Sequence, residues 1–280
     1  MKQLFFVFSL FLSVAFFAQE DVHIVLLAGQ SNMVGRGVSS ELSIEVKERI
    51  KKVSDRVRLG TSDNSNEKAK PLSSFTKQFG PELMVGLLLA EANPKQHYLL
   101  IKKAVGGTSL YGAWNTDWTQ EKAVFAERGE VRQKLKLFTL HLNNIKNELQ
   151  KLKKEDKTYR VLGLLWMQGE SDTNKEVTAT SYQNNLQKLI KGYRKEFDEK
   201  MPFIIGQINV LPRKYKIGPS QVRNAMLTVA DIDDNVAIVK TSMDNKWLDY
   251  SKHKDNLHYN TEGQLKLGTA FAKMLFLFLN

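Results

Sequence analysis

Short, nearly continuous apolar runs punctuate the chain. The first, VHIVLLA at residues 22–28, is rich in β-branched residues and stops at Gly29. A run this short and this apolar, closed by a glycine, reads as a strand covered on both faces, the habit of parallel sheets. Comparable runs recur at residues 98–101, 161–167, 203–208 and 236–239. Helical patterns separate them. Residues 80–92 place Leu83, Leu87 and Ala90 on one face, and 181–197 repeat the pattern with Leu186, Leu189 and Tyr193. A long Lys/Glu-rich helix is predicted over 122–153, with Leu135, Phe138, Leu142, Ile145 and Leu149 three or four residues apart. A last helix starts near Thr261, where Thr261-Glu-Gly-Gln264 resembles a capping box, and runs through Leu267, Phe271, Leu275 and Phe278.

Strands alternating with helices of this size predict an α/β fold: a three-layer α/β/α sandwich around a central, mostly parallel five-stranded sheet. No repeat of fixed period appears, and the polar stretch 62–74 reads as a surface loop, so one domain is expected. In open parallel sheets ligands gather at the carboxyl ends of the strands, which directs attention to the loops that follow the apolar runs.

Composition narrows the chemistry. With 280 residues, 42% hydrophobic and 25% charged, the chain is long enough for a substantial core and too apolar for disorder. It has no cysteine, which excludes disulfides, thiolate metal sites, iron–sulfur clusters and a cysteine nucleophile. The net charge of +11 is spread along the chain, and the Lys-rich segment 122–153 also carries Glu127, Glu130 and Glu148, the look of a solvated face, so no nucleic-acid partner is expected. Residues 1–18, MKQLFFVFSLFLSVAFFA, have one Lys before a run of about 15 largely apolar residues, short of the roughly 20 that span a bilayer. That is the layout of a signal peptide, which predicts a leader over 1–18, a mature domain over 19–280, export, and no stable membrane insertion. An uncleaved N-terminal anchor is the alternative.

Four segments carry candidate chemistry. Gly29-Gln-Ser-Asn-Met33 puts Ser31 on a strand-to-helix turn, where its hydroxyl either reaches the sheet edge as in a nucleophile elbow or caps the next segment. Gly106-Gly-Thr-Ser109 is either an ordinary glycine turn or a place where a backbone N–H meets a developing oxyanion. Trp166-Met-Gln-Gly-Glu-Ser-Asp172 either brings an amide and a carboxylate to the sheet edge at the end of the third run or is a polar loop in which Ser171 or Asp172 caps a helix. Asp255-Asn-Leu-His258 precedes the last helix, and an Asp three residues before a His can orient the imidazole as a general base if the segment turns. The other histidines, His23, His97, His141 and His253, are scattered and read as structural, and no pair has metal-ligand spacing, so no metal or other cofactor is expected.

With Gly80-Pro-Glu-Leu83 and Tyr259 added, these segments resemble the SGNH-hydrolase superfamily, in the branch of sialate O-acetylesterases and acetylxylan esterases of carbohydrate esterase family 6. The match spans nearly the whole mature chain. The resemblance implies a flavodoxin-like fold and a secreted serine esterase that removes O-acetyl groups from carbohydrates. Ser31 would be the nucleophile, His258 the base and Asp255 its orienting carboxylate, with Glu170 as the rival for that last role; a short local link favours Asp255. Backbone N–H groups of Ser31 and Gly107, with the Gln168 side chain, would form the oxyanion hole. Gln30, Asn32, Thr108 and Trp114 are candidates for substrate contact, and Tyr111, Trp118, Trp247 and Tyr250 are aromatics near the same edge. The alternatives are a lipid esterase or thioesterase of the same superfamily, or a carbohydrate-binding protein without activity.

Overall fold

The computed structural model describes residues 21–61, 67–74, 77–242 and 249–279. The leader, residues 62–66 of the polar stretch, and Trp247 lie outside them. Nine strands form among the described residues: β1 (Asp21–Gly29), β2 (Gly37–Val38), β3 (Val57–Gly60), β4 (Lys70–Pro71), β5 (Gln78–Phe79), β6 (His97–Ala104), β7 (Thr158–Met167), β8 (Phe203–Gly206) and β9 (Val236–Val239). Seven make one sheet in the order β4-β3-β6-β1-β7-β8-β9, and β2 pairs with β5 apart from it. Every pairing in the large sheet is parallel except β3 with β4. The five apolar runs are thus five of the seven strands, and the sheet is wider than five by the short pair β3 and β4 on one edge.

Burial explains why those five runs are so apolar. Ile24 to Ala28 of β1 are wholly buried, as are Leu164 to Met167 of β7 and Phe203 to Ile205 of β8. Helices cover both faces. Glu82–Ala92 and Thr261–Phe276 pack on each other on one side. Leu137–Lys154, Tyr182–Glu196 and Gly218–Asp231 cover the other.

Two sequence expectations need correction. The long helix over 122–153 is three pieces, Gln120–Ala126, Glu130–Gln133 and Leu137–Lys154. The break falls at Gly129, whose φ of +79° belongs to the left-handed region that glycine tolerates, and at Glu127, which turns inward. The last helix is capped by Asn260, whose side chain accepts from the Gly263 N–H, and not by Thr261. Thr261 instead accepts from the Val38 N–H and donates to Glu41, so it ties the helix start to β2.

Trp114 is also misplaced by the sequence reading. It is fully buried, edge-on to Trp166 with centroids 5.2 Å apart and edge-on to His141 at 6.4 Å. His141 in turn bonds the Tyr193 hydroxyl at 2.8 Å. Trp114 is therefore a core residue beneath the loop that carries it. Trp114→Ala is expected to cost about 3–5 kcal/mol of unfolding free energy, measured by urea denaturation.

Candidate active site

Three adjacent strands, β6, β1 and β7, end together, and their loops meet at the carboxyl edge of the sheet. Ser31 opens a one-turn helix, Ser31–Val34, directly after β1. The turn is drawn against β7: Gln30 N–H donates to the Met167 carbonyl at 2.9 Å, and a Cβ on Gly29 would sit 2.1 Å from the same oxygen. Only glycine allows that approach. Ser31 is 6% exposed, and the next turn, Gly106–Gly107, lies against it, with the position of a Cβ on Gly106 3.5 Å from Ser31 Cβ. Gly107 has φ of +73°. Among the described residues neither the Ser31 nor the Gly107 amide N–H donates to another group. Two adjacent free N–H groups are what an anionic tetrahedral intermediate requires.

The segment before the last helix does turn. Lys252 bridges Tyr259 antiparallel, His253 N–H donates to His258 O at 2.9 Å, and Asn256 takes φ of +53° at the tip. This folds Asp255 back on His258: Nδ1 of the ring bonds Oδ2 at 2.6 Å, while the Leu257 and His258 amides both donate to Oδ1. Burial alone would raise the Asp255 pKa, but these bonds outweigh it and hold the carboxyl at about 2. An ionised Asp255 only accepts, so the proton rests on Nδ1 and Nε2 is left as the basic nitrogen. Glu170 makes no hydrogen bond to His258. Its Oε1 accepts from Asn32 Nδ2 at 2.8 Å.

Asn32, 1% exposed, is the knot of the site. Besides Glu170, its amide donates to Leu257 O at 3.3 Å, its Oδ1 accepts from Tyr259 N–H at 3.1 Å, and its backbone carbonyl accepts from Gln264 Nε2. Leu257 and Tyr259 flank His258, so the residue next to Ser31 grips both sides of the histidine. Ser31 Oγ and His258 Nε2 are not themselves hydrogen-bonded.

Several candidate roles change on this geometry. Asn32 holds protein groups and is not free for substrate. Gln30 Oε1 accepts from the Ser171 hydroxyl, and Thr108 is fully buried with its hydroxyl on Val105 O. Gln168 spends both amide hydrogens on Thr108 O at 3.0 Å and Asp172 Oδ2 at 2.6 Å, which leaves none for an oxyanion. It acts on the glycine turn from beneath.

Two carboxylates that the sequence reading did not single out shape the loop after that turn. Asp172 accepts from the Leu110 and Tyr111 amides. Complete burial pushes its pKa up to about 7 against those bonds and that from Gln168. Glu127 Oε1 accepts from the Ser109 amide, the Ser109 hydroxyl and the Ala113 amide. Burial raises its pKa as well. Asp172 stood inside a recognisable motif, but nothing in the sequence distinguishes Glu127 from the exposed acids around it.

Beside Gly107 opens a cleft of about 310 Å³ bordered by Arg128, Arg132, Lys175, Arg213 and Lys214. Among the described residues none of these five cations is in an ion pair. Lys175 sits over the Phe125 ring, and Arg213 donates one bond, to Glu170 O. No group of acidic or histidine side chains suited to a metal occurs among the described residues, and no described helix is long and apolar enough to cross a membrane.

The family described as "Carbohydrate esterase, sialic acid-specific acetylesterase" matches residues 21–276. Among solved structures, an Arabidopsis thaliana protein aligns with TM-score 0.65 at 22% identity, over 91% of this chain and 98% of that one. NanS aligns with TM-score 0.63 at 12% identity, over 94% and 98%. A carbohydrate acetylesterase from Xanthomonas citri aligns with TM-score 0.62 at 16% identity, over 89% of this chain and 55% of that longer one. These likenesses establish the shared fold. A search of curated proteins finds no match.

Two outcomes follow from the geometry. Asn32→Ala is expected to destabilise the protein by about 1–3 kcal/mol for each buried group left without its partner, read by urea denaturation, and to lower turnover because the His258 loop loses its tether. Because the Asp255 pKa is depressed in the folded protein, its contribution to stability is present above about pH 4 and is lost as pH falls towards 2. Melting temperatures recorded across that window should fall more steeply for the wild type than for Asp255→Asn.

Proposed function

The chain belongs to the sialic acid-specific acetylesterase family of carbohydrate esterases, a family of carboxylic ester hydrolases, and on that premise we propose that it removes O-acetyl groups from carbohydrates through an acyl-enzyme on Ser31. The observation that carries the reading is the His258–Asp255 pair, 2.6 Å apart, in a loop that Asn32 ties to the Ser31 turn.

In this mechanism Ser31 Oγ and His258 Nε2 close to hydrogen-bonding distance when substrate binds, as such contacts often do. His258 takes the hydroxyl proton as Oγ attacks the acetyl carbonyl. The oxyanion is met by the Ser31 and Gly107 N–H groups, and the Asp255 carboxylate stabilises the imidazolium. His258 then returns the proton to the departing sugar oxygen. Water enters by the same route, gives its proton to His258, and releases acetate. Glu170 and Gln168 hold the loops that carry these groups, and the oxyanion donors are both backbone amides.

The cationic cleft beside Gly107 favours an acidic acetylated sugar, of the sialic acid kind, over neutral xylan. Five unpaired cations around one cavity repel each other, and a bound carboxylate relieves that repulsion. A rim of cations suits an acidic sugar better than a long acyl chain, which disfavours the lipid-esterase and thioesterase alternatives. The layout of residues 1–18 supports export, with the mature domain acting outside the cytoplasm.

Acetate release from acetylated sialic acid, acetylated xylan and short and long acyl esters tests the reading. Ser31→Ala should lower turnover at least about 10⁴-fold; full activity in that variant refutes the serine mechanism. Inactivity of the wild type on every ester would move the chain to the class of carbohydrate-binding proteins. Arg213→Gln should raise KM for the sialic acid substrate about tenfold, the size of one lost charge-assisted bond, and leave KM for acetylated xylan unchanged.

A further inference from the structure

The Gly107 N–H belongs to the same peptide unit as the Gly106 carbonyl, so whatever holds one end aims the other. Arg132, in the short helix Glu130–Gln133, holds it. Its Nε donates to Gly106 O at 3.0 Å, and its Nη1 donates to Arg128 O at 3.0 Å. The two bonds fix the guanidinium plane. The position of a Cβ on Gly107 lies 3.4 Å from Arg132 Cζ and 3.5 Å from Nε and Nη2, so the guanidinium covers the glycine directly. The neighbouring carbonyls are also held from within the protein, Val105 O by the Thr108 hydroxyl and Thr108 O by Gln168. The turn is therefore gripped by three of its carbonyls, those of Val105, Gly106 and Thr108, while the Gly107 N–H stays free.

We propose that Arg132 is the positioning residue of the oxyanion hole: by clamping Gly106 O it fixes the Gly106–Gly107 peptide with its N–H towards the reacting carbonyl, and its positive charge polarises that peptide. The proposal rests on the Ser31 mechanism. A glycine pair with one member in the left-handed region can rotate the intervening peptide at little steric cost, and a peptide turned over presents its carbonyl oxygen where the oxyanion must form. The fork of the guanidinium prevents this. With the Gln168 amide fully engaged, the site has two backbone donors and no side-chain donor, so the aim of each backbone N–H matters more. A charged donor on a carbonyl also withdraws electron density from the attached N–H and strengthens it as a donor. An ammonium cannot hold Gly106 O and Arg128 O together in one plane, so lysine is not an equivalent here.

The test uses a neutral short acetyl ester, which has no carboxylate for the cationic cleft, and compares Arg132→Gln and Arg132→Lys with the wild type and Ser31→Ala. Removal of one oxyanion donor costs about 10²–10³-fold in turnover, so mis-aiming one is expected to lower kcat about 10–100-fold in Arg132→Gln, with KM within about twofold and an unchanged melting temperature. Arg132→Lys, which restores the charge without the fork, should recover part of the loss. The affinity of methylboronic acid, which adds the serine hydroxyl and places an anionic oxygen in the hole, should weaken by the same factor as kcat. A kcat within twofold of wild type in Arg132→Gln overturns the proposal, as does a loss of kcat with boronate affinity intact. If Arg132→Gln does not fold, Arg132→Lys decides by the same two readings, a matched loss supporting the proposal and any other result overturning it. An inactive Ser31→Ala beside an unaffected Arg132→Gln would overturn the Arg132 role alone; a fully active Ser31→Ala would overturn both readings.

Discussion

One buried carboxamide holds the site together. Asn32 joins the end of β1 to Glu170 after β7, to the two neighbours of His258, and through its backbone to Gln264 of the last helix. Among the described residues no other residue bonds all of these elements, and three of the four bonds are fully buried, where an unmet polar group is most costly. The sheet supplies the stage for this knot. Because β1 lies between β6 and β7, a turn at its end is flanked by two other strand ends, and the close approach of Gly29 to Met167 O sets how near the serine turn comes to its neighbour. The His258 loop has no strand of its own in the large sheet and is placed by Asn32, by its internal turn, and by bonds from His253 to Arg36 O and from Lys252 to Asn209 O.

The loop that follows the glycine turn follows the same rule of support from beneath. Residues 109–113 are drawn down onto Glu127 and Asp172, two carboxylates that bond main-chain N–H groups and not cations. The cations in this region stay unpaired around the cleft. That division of labour, acids below and bases above, gives the rim its positive character. The net charge of +11 says nothing about it, since it counts charges without their places.

The legibility of each feature in the sequence follows from how local its cause is. The five central strands announce themselves because both faces are buried and every position must be apolar. β3 escapes notice because it is four residues long with Arg58 exposed within it, and β4, the edge strand beside it, is two residues long. The helix Ile44–Val53 buries only Ile50 and Val53, too few to stand out among its lysines and glutamates. Within the site, the residues of the His–Asp pair are legible because three residues of sequence bring them together. The roles of Gln168, Thr108 and Trp114 are not, because whether a polar or aromatic side chain near a strand end faces a ligand or the protein is settled by the fold: Gln168 meets the Thr108 carbonyl across 60 residues of chain, and Trp114 lies against Trp166 of β7. Gln168 occupies the expected position and points the other way. Glu127 looks like a solvated acid, and only the fold brings the Ser109 and Ala113 amides to it.

The bond from Tyr259 to Asn32 spans 227 residues of chain. The Ser31 turn forms near one end of the described chain and His258 near the other, with nearly the whole domain folded between them. No partly folded species in which the last helix is undocked can have a working site, since contacts of this sequence separation form only with global closure. On the proposed mechanism hydrolysis is therefore all-or-none with respect to folding: a nascent chain carries a complete set of chemical groups and stays inert, and the appearance of activity marks the moment at which the two ends of the domain lock.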